Sequence, residues 1–561
     1  MTLRVLIVGG YGVFGGKLAQ LLRKDAQIEL LIAGRSLRKA RAFCKRHGGI
    51  PARFDRDGML LAQLQALGPQ VVVDAAGPFQ HYGADPYRLA RAALAAGAHY
   101  LDLADDADFV AGIGVLDSTA REAGRTVLSG VSSVPAISSA VVEQLRRGLA
   151  QIEQIETVIL PGNRAPRGLS VVRAIVAQAG RPLRVWHGDV WRQVPAWGEL
   201  TRVRLQATTR QLNVRWASPI GAPDLLLFPA RYGARSVAFR AGLELSVLHL
   251  GLWLLAWLPR LRLVRSLTAL APLLRGLADL LRPFGEDRGG MAVTLRGETA
   301  ARRTEERCWT LIAESGDGPF IPAIPAAAWL RQRARGVAPK PGARPCVGEL
   351  SLSQLMLAFA PLAIVSEQVF SPASTLFEHA LGDGWLRLPT PVRRLHGVAQ
   401  AAEYHGEAVV ENGVHPLARL ARAVMRLPVA AARVPVQVSI RAQPDAEHWL
   451  RQFGTRRFAT TLRWQPKRQK IVETFSLLGL PMRFELGLSA ADYALHWPVT
   501  RGWFCGLPLP RFLLPISESI EDVDEQGRFR FDVSIRLPGI GLVARYRGWL
   551  NPASAAPPAT V

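Results

Sequence analysis

An apolar strand runs into a glycine-rich turn near the start of the chain: Val5-Leu6-Ile7-Val8-Gly9-Gly10-Tyr11-Gly12-Val13-Phe14-Gly15. Four apolar residues, three of them β-branched, are typical of a strand buried on both faces. An apolar-periodic helix is predicted to follow over residues 12–24. Strand, tight turn and helix in this order predict the first crossover of a doubly wound parallel sheet.

The glycine spacing indicates what the turn binds. Gly10, Gly12 and Gly15 fit G-x-G-x-x-G, and Gly9 begins a second pattern, G-x-x-G-x-x-G. Glycine permits the tight turn, the approach of backbone to a pyrophosphate, and close packing of helix on strand. Unpaired N–H groups at the helix N-terminus attract phosphate. We predict that the cofactor contacts Gly9, Gly10, Gly12, Val13, Phe14 and Gly15. A turn that binds nothing is the less favoured alternative.

The end of the second predicted strand, residues 28–33, decides between the two nicotinamide cofactors. NAD-binding folds usually place a carboxylate there to accept from the ribose 2′-hydroxyl. This chain has Arg35-Ser36, with Arg38 and Lys39 close behind. A guanidinium pairs with a 2′-phosphate, so Arg35 and Ser36 predict NADP(H). The alternative makes Arg35 a solvated loop residue and Ser36 only the N-cap of the next helix.

Further strands alternate with helices, and they are predicted at residues 52–54, 71–76, 99–103 and 126–128. Asp55 follows the third strand and is a plausible partner for the adenine amino group. The fourth strand opens into Ala76-Gly77-Pro78, at the sheet edge where the nicotinamide half belongs. The regular alternation predicts right-handed crossovers and a Rossmann-type domain.

Candidates for proton transfer follow the fourth and fifth strands. Tyr82 and His81 lie in the loop after the fourth strand, and Asp102 ends the fifth. Side chains of these types act as general acids or bases when they lie within hydrogen-bond reach of the substrate. The alternative roles are loop packing for Tyr82 and His81, and a turn or helix cap for Asp102.

Several motifs resemble the saccharopine dehydrogenase-like oxidoreductases over roughly residues 1–350. They are the glycine turn, Gly77-Pro78-Phe79 with Tyr82-Gly83, Gly97-Ala98-His99-Tyr100-Leu101-Asp102-Leu103, and Gly316-Asp317-Gly318-Pro319 with Ile321-Pro322-Ala323. The resemblance implies NADP-linked hydride transfer on a Rossmann domain with an α+β substrate domain alongside. The family is broad: it includes lysine-pathway enzymes, trans-acting enoyl reductases of polyketide lipids, and lipid-associated members.

One position departs from the family pattern. Relatives commonly carry Gly-x-Asp-Ser-x-Pro after the sixth strand, whereas this chain reads Gly130-Val131-Ser132-Ser133-Val134-Pro135. Ser132 therefore stands where the relatives have a carboxylate. If that carboxylate moves a proton or positions an amino-acid substrate, saccharopine chemistry is not expected here.

Size and charge set the class of protein. The chain has 561 residues, 49% of them hydrophobic, and a formal net charge of +24. It is too long for one core and too apolar to be disordered. The positive charge favours acidic partners, yet no compact basic block or nucleic-acid module is present, so no specific nucleic acid is expected. The four cysteines have no metal-type spacing; no metal site and a reducing, cytoplasmic location are predicted.

An unusual insert occupies residues 243–284. Residues 243–258 are almost wholly apolar but too short for a clean membrane span. Residues 261–284 carry leucines at helical spacing, and arginines recur from 260 to 282. Such a pair of helices suits the anionic inner face of a membrane. The alternative, which we favour, buries both helices against the substrate domain or a second subunit, so a homo-oligomer remains open.

The last third of the chain has a different pattern. Short alternating segments without helices between them predict a separate antiparallel sheet or barrel, whose aromatic strands line either an apolar cavity or a plain core. The stretches 447–454 and 546–550 resemble an uncharacterised domain family often fused to such dehydrogenases. Glu447, His448 and Arg451 suggest a polar site, although an ordinary ion pair with a satisfied histidine is favoured.

These observations predict a domain organisation and a function. The predicted boundaries are 1–135 for the NADP-binding domain, 136–357 for the substrate domain, 358–391 for a linker and 392–561 for the β-rich domain. The leading function is NADP(H)-dependent hydride transfer to or from a hydrophobic or acyl-type, lipid-like small molecule. The alternative is a redox-silent NADP-binding scaffold or a membrane-surface interaction protein.

Overall fold

The fold comes from a computed structural model that describes residues 2–166, 168–301, 303–372, 375–398, 401–443, 446–465, 468–477 and 480–553. The chain divides into two compact units. The first comprises residues 1–186, 191–300 and 306–371, and the second comprises 187–190, 301–305 and 372–561. The predicted overall class, a Rossmann sheet, an α+β region and an antiparallel β-rich region, is confirmed.

The first unit begins with alternating strands and helices. In chain order these are β1 Leu3–Val8, α1 Val13–Leu22, β2 Ile28–Gly34, α2 Leu37–His47, β3 Ile50–Arg53, α3 Leu60–Leu67, β4 Val71–Asp74, α4 Arg88–Ala95, β5 His99–Asp102, α5 Ala107–Gly112, α6 Asp117–Glu122, β6 Thr126–Ser129 and α7 Ser138–Leu145. The strands pair in parallel in the order 3-2-1-4-5-6. The order reverses at β1, so a crevice opens there beyond the carboxyl ends of β1 and β4.

The central strands are apolar because helices cover both faces of the sheet. Val5, Leu6 and Ile7 of β1 are fully buried. Val5 and Ile7 pack on the side of α1, and Leu6 packs on the side of α3 and α4. The continuous apolar run that predicted this strand is therefore explained by burial on two sides.

The rest of the first unit forms a second, mixed sheet. Its elements are β7 Leu149–Leu160, α8 Leu169–Gln178, β8 Pro182–His187, β9 Val190–Pro195, β10 Thr201–Val203, β11 Gln206–Ala207, β12 Arg210–Gln211, β13 Arg215–Pro219, α9 Pro223–Tyr232, β14 Ser236–Ala241, α10 Ser246–Leu255, α11 Trp257–Arg260, α12 Ala271–Leu280, β15 Gly289–Thr299, β16 Thr304–Ala313 and α13 Ile324–Ala334. The main path of the sheet runs β10-β13-β14-β7-β15-β16, and a strand from the region after α13 completes it beside β16. Strand β8 pairs with β14, and β9 pairs with β8. Strands β11 and β12 form a separate hairpin.

Two predicted boundaries are wrong. After α13 the chain returns to the first sheet as β17 Gly342–Pro345, parallel to β6, so the Rossmann sheet does not end at residue 135. The predicted linker 358–391 contains regular structure that begins with the end of α14 Leu352–Phe359. It also contains β18 Ile364–Pro372, which completes the second sheet beside β16. Proline and small residues misled the prediction because β18 is an edge strand, where they are tolerated.

The insert is partly anchored in the first unit. His249 of α10 is fully buried, and its Nε2 lies 3.0 Å from the Ser218 hydroxyl of β13. Leu252, Ala256 and Ala271 are also buried. The first helix of the insert, α10, therefore packs on protein, as the favoured alternative expected. The second helix, α12, is exposed over most of its length, which that alternative did not expect. Among the helices of the described residues, none combines the length and the apolarity that a membrane crossing requires.

The second unit is β-rich. Its elements are α15 Leu376–Leu381, α16 Thr390–His396, β19 Ala401–Asn412, α17 Pro416–Met425, β20 Ala431–Gln443, β21 Ala446–Phe453, β22 Arg456–Gln465, β23 Lys470–Leu477, β24 Leu480–Leu486, β25 Ser489–Ala491, β26 Ala494–His496, β27 Val499–Phe504, β28 Leu507–Pro508, β29 Ile516–Val523, β30 Phe529–Leu537 and β31 Gly541–Pro552. The strands form one 13-stranded sheet in the order β25-β26-β29-β30-β31-β19-β20-β21-β22-β23-β24-β27-β28. The expectation of no helices within this region is wrong, since α17 interrupts the strands.

Candidate active site

The glycine turn fits closely against the end of β4. Gly9 has φ +79°, a conformation that favours glycine, and a Cβ there would lie 2.8 Å from the Ala75 carbonyl oxygen. A Cβ on Gly15 would collide with the carbonyl oxygen of Gly9. The turn can therefore form only with glycine at these two positions, which brings β1, α1 and the loop after β4 together.

The N-terminus of α1 is open to solvent. Gly12 is its N-cap and is exposed, while Val13 and Phe14 in the first turn are half-buried. Gly12 provides no side-chain oxygen to cap the helix, so the first N–H groups of α1 lack an intrahelical partner. A pyrophosphate placed at this end would accept their hydrogen bonds and be favoured by the helix dipole.

The end of β2 presents positive charge. Arg35, Arg38 and Lys39 are all exposed. Ser36 is the N-cap of α2, and its hydroxyl accepts the N–H of Lys39 at 3.3 Å; its contact with the cofactor stays a prediction. The Ser36 N–H donates to the Tyr11 hydroxyl at 3.1 Å. Tyr11 thus ties the glycine turn to the loop that carries Arg35.

Asp55 lies directly after β3, where its carboxylate accepts the N–H of Asp57 at 3.1 Å. Gln63 of α3 accepts the Asp55 N–H at 2.8 Å and donates back to its carbonyl at 2.9 Å. The Asp55 backbone is therefore fixed, and its suggested role toward adenine stays a prediction.

A buried polar network lies at the carboxyl end of β4. Asp74 is fully buried and accepts the Ala76 N–H at 3.0 Å and the Tyr82 hydroxyl at 3.1 Å. Tyr100 of β5 also donates to Asp74. The Arg56 guanidinium stacks on the Tyr82 ring at 3.3 Å from the ring centre, with its Nε 3.8 Å from Asp74. The network holds the loop that contains Ala76, Gly77 and Pro78.

The electrostatics of this network favour protonated phenols. Burial raises the pKa of Asp74, while nearby Arg56 opposes the rise. Burial and the Asp74 charge raise the pKa of Tyr82 far above its ordinary value, and burial does the same for Tyr100. Tyr82 therefore keeps its proton at neutral pH and shares it with Asp74, so that any transfer from the Tyr82 hydroxyl needs Asp74 to return a proton to it.

One carboxylate oxygen of Asp102 holds the backbone turns that follow β5 and β6. Asp102 is fully buried, and this oxygen accepts from the Gly130 N–H at 2.7 Å, the Ser129 hydroxyl at 2.9 Å and the Ala104 N–H at 3.1 Å. Burial raises its pKa to about 7, although these hydrogen bonds oppose the rise. Its second carboxylate oxygen is buried without a hydrogen-bond partner among the described residues, and the role of Asp102 in proton transfer stays a prediction. The His81 side chain lies outside the described part of the chain.

Sequence reasoning missed four members of this site: Tyr11, Arg56, Asp74 and Tyr100. Asp74 stood inside a predicted strand, and the only available signal was a charged residue at the end of a wholly apolar run. Tyr11, Arg56 and Tyr100 gave no pattern, because their partners lie far away in sequence and meet them only in the folded sheet.

The second sheet region contacts α1 through the predicted family motif. The Lys17 ammonium lies 4.0 Å from the ring centre of Phe320, which follows Gly318-Pro319. Burial lowers the pKa of Lys17, and the nearby charge of Asp317 opposes that shift. Ser132 is buried in the loop after β6. This loop therefore carries a small neutral side chain where the family pattern has a carboxylate.

In the second unit, the structure separates the predicted polar group Glu447, His448 and Arg451. Successive residues of β21 alternate between faces. Glu447 is buried and accepts the Trp449 indole N–H at 2.9 Å, whereas His448 bonds the Thr461 hydroxyl at 2.9 Å on the other face. Arg451 bonds the Thr460 hydroxyl at 2.8 Å. The three side chains do not form one site. His448 is satisfied, as the favoured alternative expected, but Arg451 forms its ion pair with Glu473 and not with Glu447.

The residues of the first site fit a phosphorylated dinucleotide. A side chain at Gly9 or Gly15 would fill the space that the turn leaves, and the exposed N-terminus of α1 and the exposed Arg35 supply donors for phosphate groups. The pyrophosphate would be held by Gly12, Val13, Phe14 and Gly15, and the 2′-phosphate by Arg35.

Comparison with known families agrees with this geometry. Residues 5–128 match the saccharopine dehydrogenase NADP-binding domain, and residues 388–550 match a domain of unknown function, DUF4166. The first match assigns NADP to the N-terminal domain and places the chain among NADP-dependent oxidoreductases. A search of curated protein sequences gives no match.

Solved structures share low sequence identity with the chain. Apo saccharopine dehydrogenase (L-Glu forming) from Saccharomyces cerevisiae is 14% identical with a TM-score of 0.46, covering 66% of this chain and 99% of that one. Biliverdin reductase from Synechocystis, with biliverdin and NADP⁺, is 14% identical with a TM-score of 0.29, covering 64% and 96%. A 3-ketoreductase from Actinomadura kijaniata, with NADP and TDP-benzene, is 15% identical with a TM-score of 0.30, covering 64% and 95%.

Proposed function

We propose that this NADP-dependent oxidoreductase acts on a hydrophobic or acyl-type small molecule. The observation that carries the proposal is the position of the open α1 N-terminus beside the loop after β4, where a buried tyrosine–carboxylate network ends. NADP(H), when bound, supplies the hydride chemistry. Ser132 supports the choice of substrate, because a neutral side chain there does not attract the ammonium group of an amino acid.

In this proposal each part of the site has one task. The α1 N-terminus binds the pyrophosphate, Arg35 binds the 2′-phosphate, and the backbone of Ala76-Gly77-Pro78 flanks the nicotinamide ribose. The Tyr82 hydroxyl passes its proton to the substrate while the Asp74 carboxyl, whose pKa burial raises, delivers a proton to the Tyr82 oxygen, so that Asp74 ends as the carboxylate and no phenolate is left. Asp74 positions that hydroxyl and the Ala76 N–H.

Turnover tests the proposal directly. NADPH consumption is measured with enones, ketones and imines that carry apolar chains, with amino-acid imines for comparison. We expect turnover on an apolar substrate, and Tyr82→Phe should lower kcat about 100-fold with little change in KM, because the proton donor is lost. Tyr404→Phe is the matched control, since the buried Tyr404 lies in the second unit, where its hydroxyl donates to the Arg394 carbonyl at 2.9 Å. A Tyr82→Phe enzyme with unchanged kcat would contradict the role of Tyr82, and turnover confined to amino-acid imines would contradict the substrate class.

We also propose that the insert docks the protein on an anionic membrane surface at the inner face of the membrane. All residues from Arg260 to Arg265 are exposed, and arginine and apolar side chains alternate along them; Leu261 is 60% and Leu263 67% exposed. Phe284 at the end of the insert is 78% exposed. Apolar side chains flanked by guanidinium groups complement an acidic headgroup layer.

Flotation with liposomes tests the docking proposal. The protein should float with phosphatidylglycerol vesicles and not with phosphatidylcholine vesicles. Leu263→Glu should abolish flotation, because it places a negative charge among the exposed apolar side chains of the segment from Arg260 to Arg265. Val115→Glu is the control, since Val115 is 69% exposed in the Rossmann domain. Equal flotation of wild type and Leu263→Glu would contradict the proposal.

A further inference from the structure

The sheet of the second unit encloses a cavity of about 400 Å³. Strands β27 and β29 come from opposite halves of the strand order, yet they lie against each other, so the sheet curls into a barrel-like wall. The lining is almost entirely apolar and includes Trp449, Phe484 and Phe531. A cavity of this size and polarity is typical of a small-molecule site and is larger than the voids of a plain core.

Helix α17 forms one side of the cavity. Its lining residues follow the spacing i, i+3, i+4, i+7 and i+8: Leu417, Leu420, Ala421, Val424 and Met425. Leu417 is 53% and Leu420 59% exposed, so the apolar face of the helix is open to solvent at one edge. The exposed rim continues on Leu513, which is 51% exposed. This edge provides an apolar entry to the cavity.

The helix itself is held in place. Ala418 is fully buried against Val543 and Ala544 of β31. The Arg422 guanidinium donates to the carbonyls of Gly413 at 2.8 Å and Val543 at 3.0 Å. Since α17 is fixed to the sheet by its other side, its apolar stripe is a built part of the cavity wall.

Few polar groups line the cavity, and its charged side chains are already paired. Arg451 lies 3.5 Å from Glu473, and Glu521 is bonded to the buried His396. The Trp497 indole N–H is different: it is buried and has no hydrogen-bond partner among the described residues. A buried donor without an acceptor costs free energy, which a ligand acceptor would recover.

We propose that this cavity binds one neutral, lipid-like molecule, with an apolar chain against the aromatic walls and a hydrogen-bond-accepting head, such as an alcohol or ester oxygen, at Trp497. A carboxylate head is disfavoured. It would be placed among two glutamates, Glu473 and Glu521, and the one arginine there is already ion-paired. The cavity thus selects neutral lipids over fatty acids.

Equilibrium dialysis of the full chain with tritiated 1-dodecanol tests the proposal. We expect saturable binding of one molecule per chain. Dodecanoate should bind at least ten times more weakly, and 1-decanol should lose affinity by about fourfold per methylene removed. Absence of saturable dodecanol binding would overturn the proposal, and equal affinity for dodecanoate would overturn the neutral-head selectivity.

Matched variants of α17 locate the binding. Ala421→Phe fills the cavity and should weaken dodecanol binding at least tenfold, whereas Ala423→Phe, on the exposed side of the same helix, should bind as wild type. Trp497→Phe keeps an aromatic ring, removes the N–H donor and should weaken binding roughly fivefold. Unchanged binding in both Ala421→Phe and Trp497→Phe would place the ligand elsewhere and overturn the proposal. Near-UV circular dichroism reports whether each variant is folded. All measurements are made without NADPH, so failure of the oxidoreductase proposal leaves this one standing.

Discussion

In the N-terminal domain, the candidate site is formed by backbone at the carboxyl ends of the central strands of a parallel sheet. In the C-terminal domain, the cavity is made of side chains in the interior of an antiparallel one. The first site depends on two glycines, Gly9 and Gly15, whose missing Cβ atoms allow close approach. The second depends on residues such as Trp449 and Phe531, which come together from distant strands.

This difference explains what each site selects. Unpaired N–H groups and an exposed arginine favour a charged, phosphorylated ligand. An apolar wall with paired charges and a buried, unpaired indole N–H favours a neutral ligand. The same basic chain therefore presents one site that uses its positive charge and one that excludes charge.

The largest expected effect breaks the backbone site. Gly15→Ala should abolish measurable NADPH binding in a fluorescence titration, because its Cβ would collide with the Gly9 carbonyl oxygen. Gly114→Ala is the matched control, since a Cβ there meets nothing within 4 Å. If the Gly15→Ala protein binds NADPH as wild type does, the glycine turn is not the cofactor site.

A second prediction compares buried carboxylates in the two regions. Asp224 accepts the hydroxyls of Ser138 and Thr157 at 3.0 and 3.1 Å, and burial raises its pKa to about 7. Burial raises the pKa of Glu447 to about 8, against the opposing hydrogen bond from Trp449. At a pH between the ordinary pKa of a carboxyl group and its raised pKa in the folded protein, the folded protein keeps a proton that the unfolded chain has released. The free energy of unfolding should therefore fall as pH rises, by up to about 1.4 kcal/mol per pH unit for each group.

Denaturant unfolding between pH 5 and 8 checks this slope. Asp224→Asn should make the free energy of unfolding less dependent on pH up to pH about 7, and Glu447→Gln should do the same up to pH about 8. Asp117→Asn is the control: its exposed ion pair with Arg121 lowers the pKa of Asp117, so its contribution does not change in this range. Variants with the wild-type slope would contradict the buried-carboxylate explanation.

The comparison also shows what sequence can reveal. The backbone site was predictable, because glycine spacing, a two-sided apolar strand and Arg35 are local signals. The network of Arg56, Asp74 and Tyr82 was only partly predictable, since its members come from three separate segments. The cavity was an open alternative to a plain core, because alternating aromatics do not reveal how far a sheet curls. Helix α17 was missed because its apolar stripe is short.

The choice of cofactor is tested most directly by comparing NADPH and NADH affinities of wild type, Arg35→Ala and Arg46→Ala. Arg46 lies in the last turn of α2 and is exposed, so it is the matched control. Wild type should bind NADPH more tightly than NADH. Arg35→Ala should reduce the difference in binding free energy between the two cofactors by about 1–3 kcal/mol, as for loss of a charged hydrogen-bonding partner. Arg46→Ala should leave the difference unchanged. Equal affinities of the wild type for NADPH and NADH would contradict the central claim that Arg35 recognises a 2′-phosphate at the end of β2.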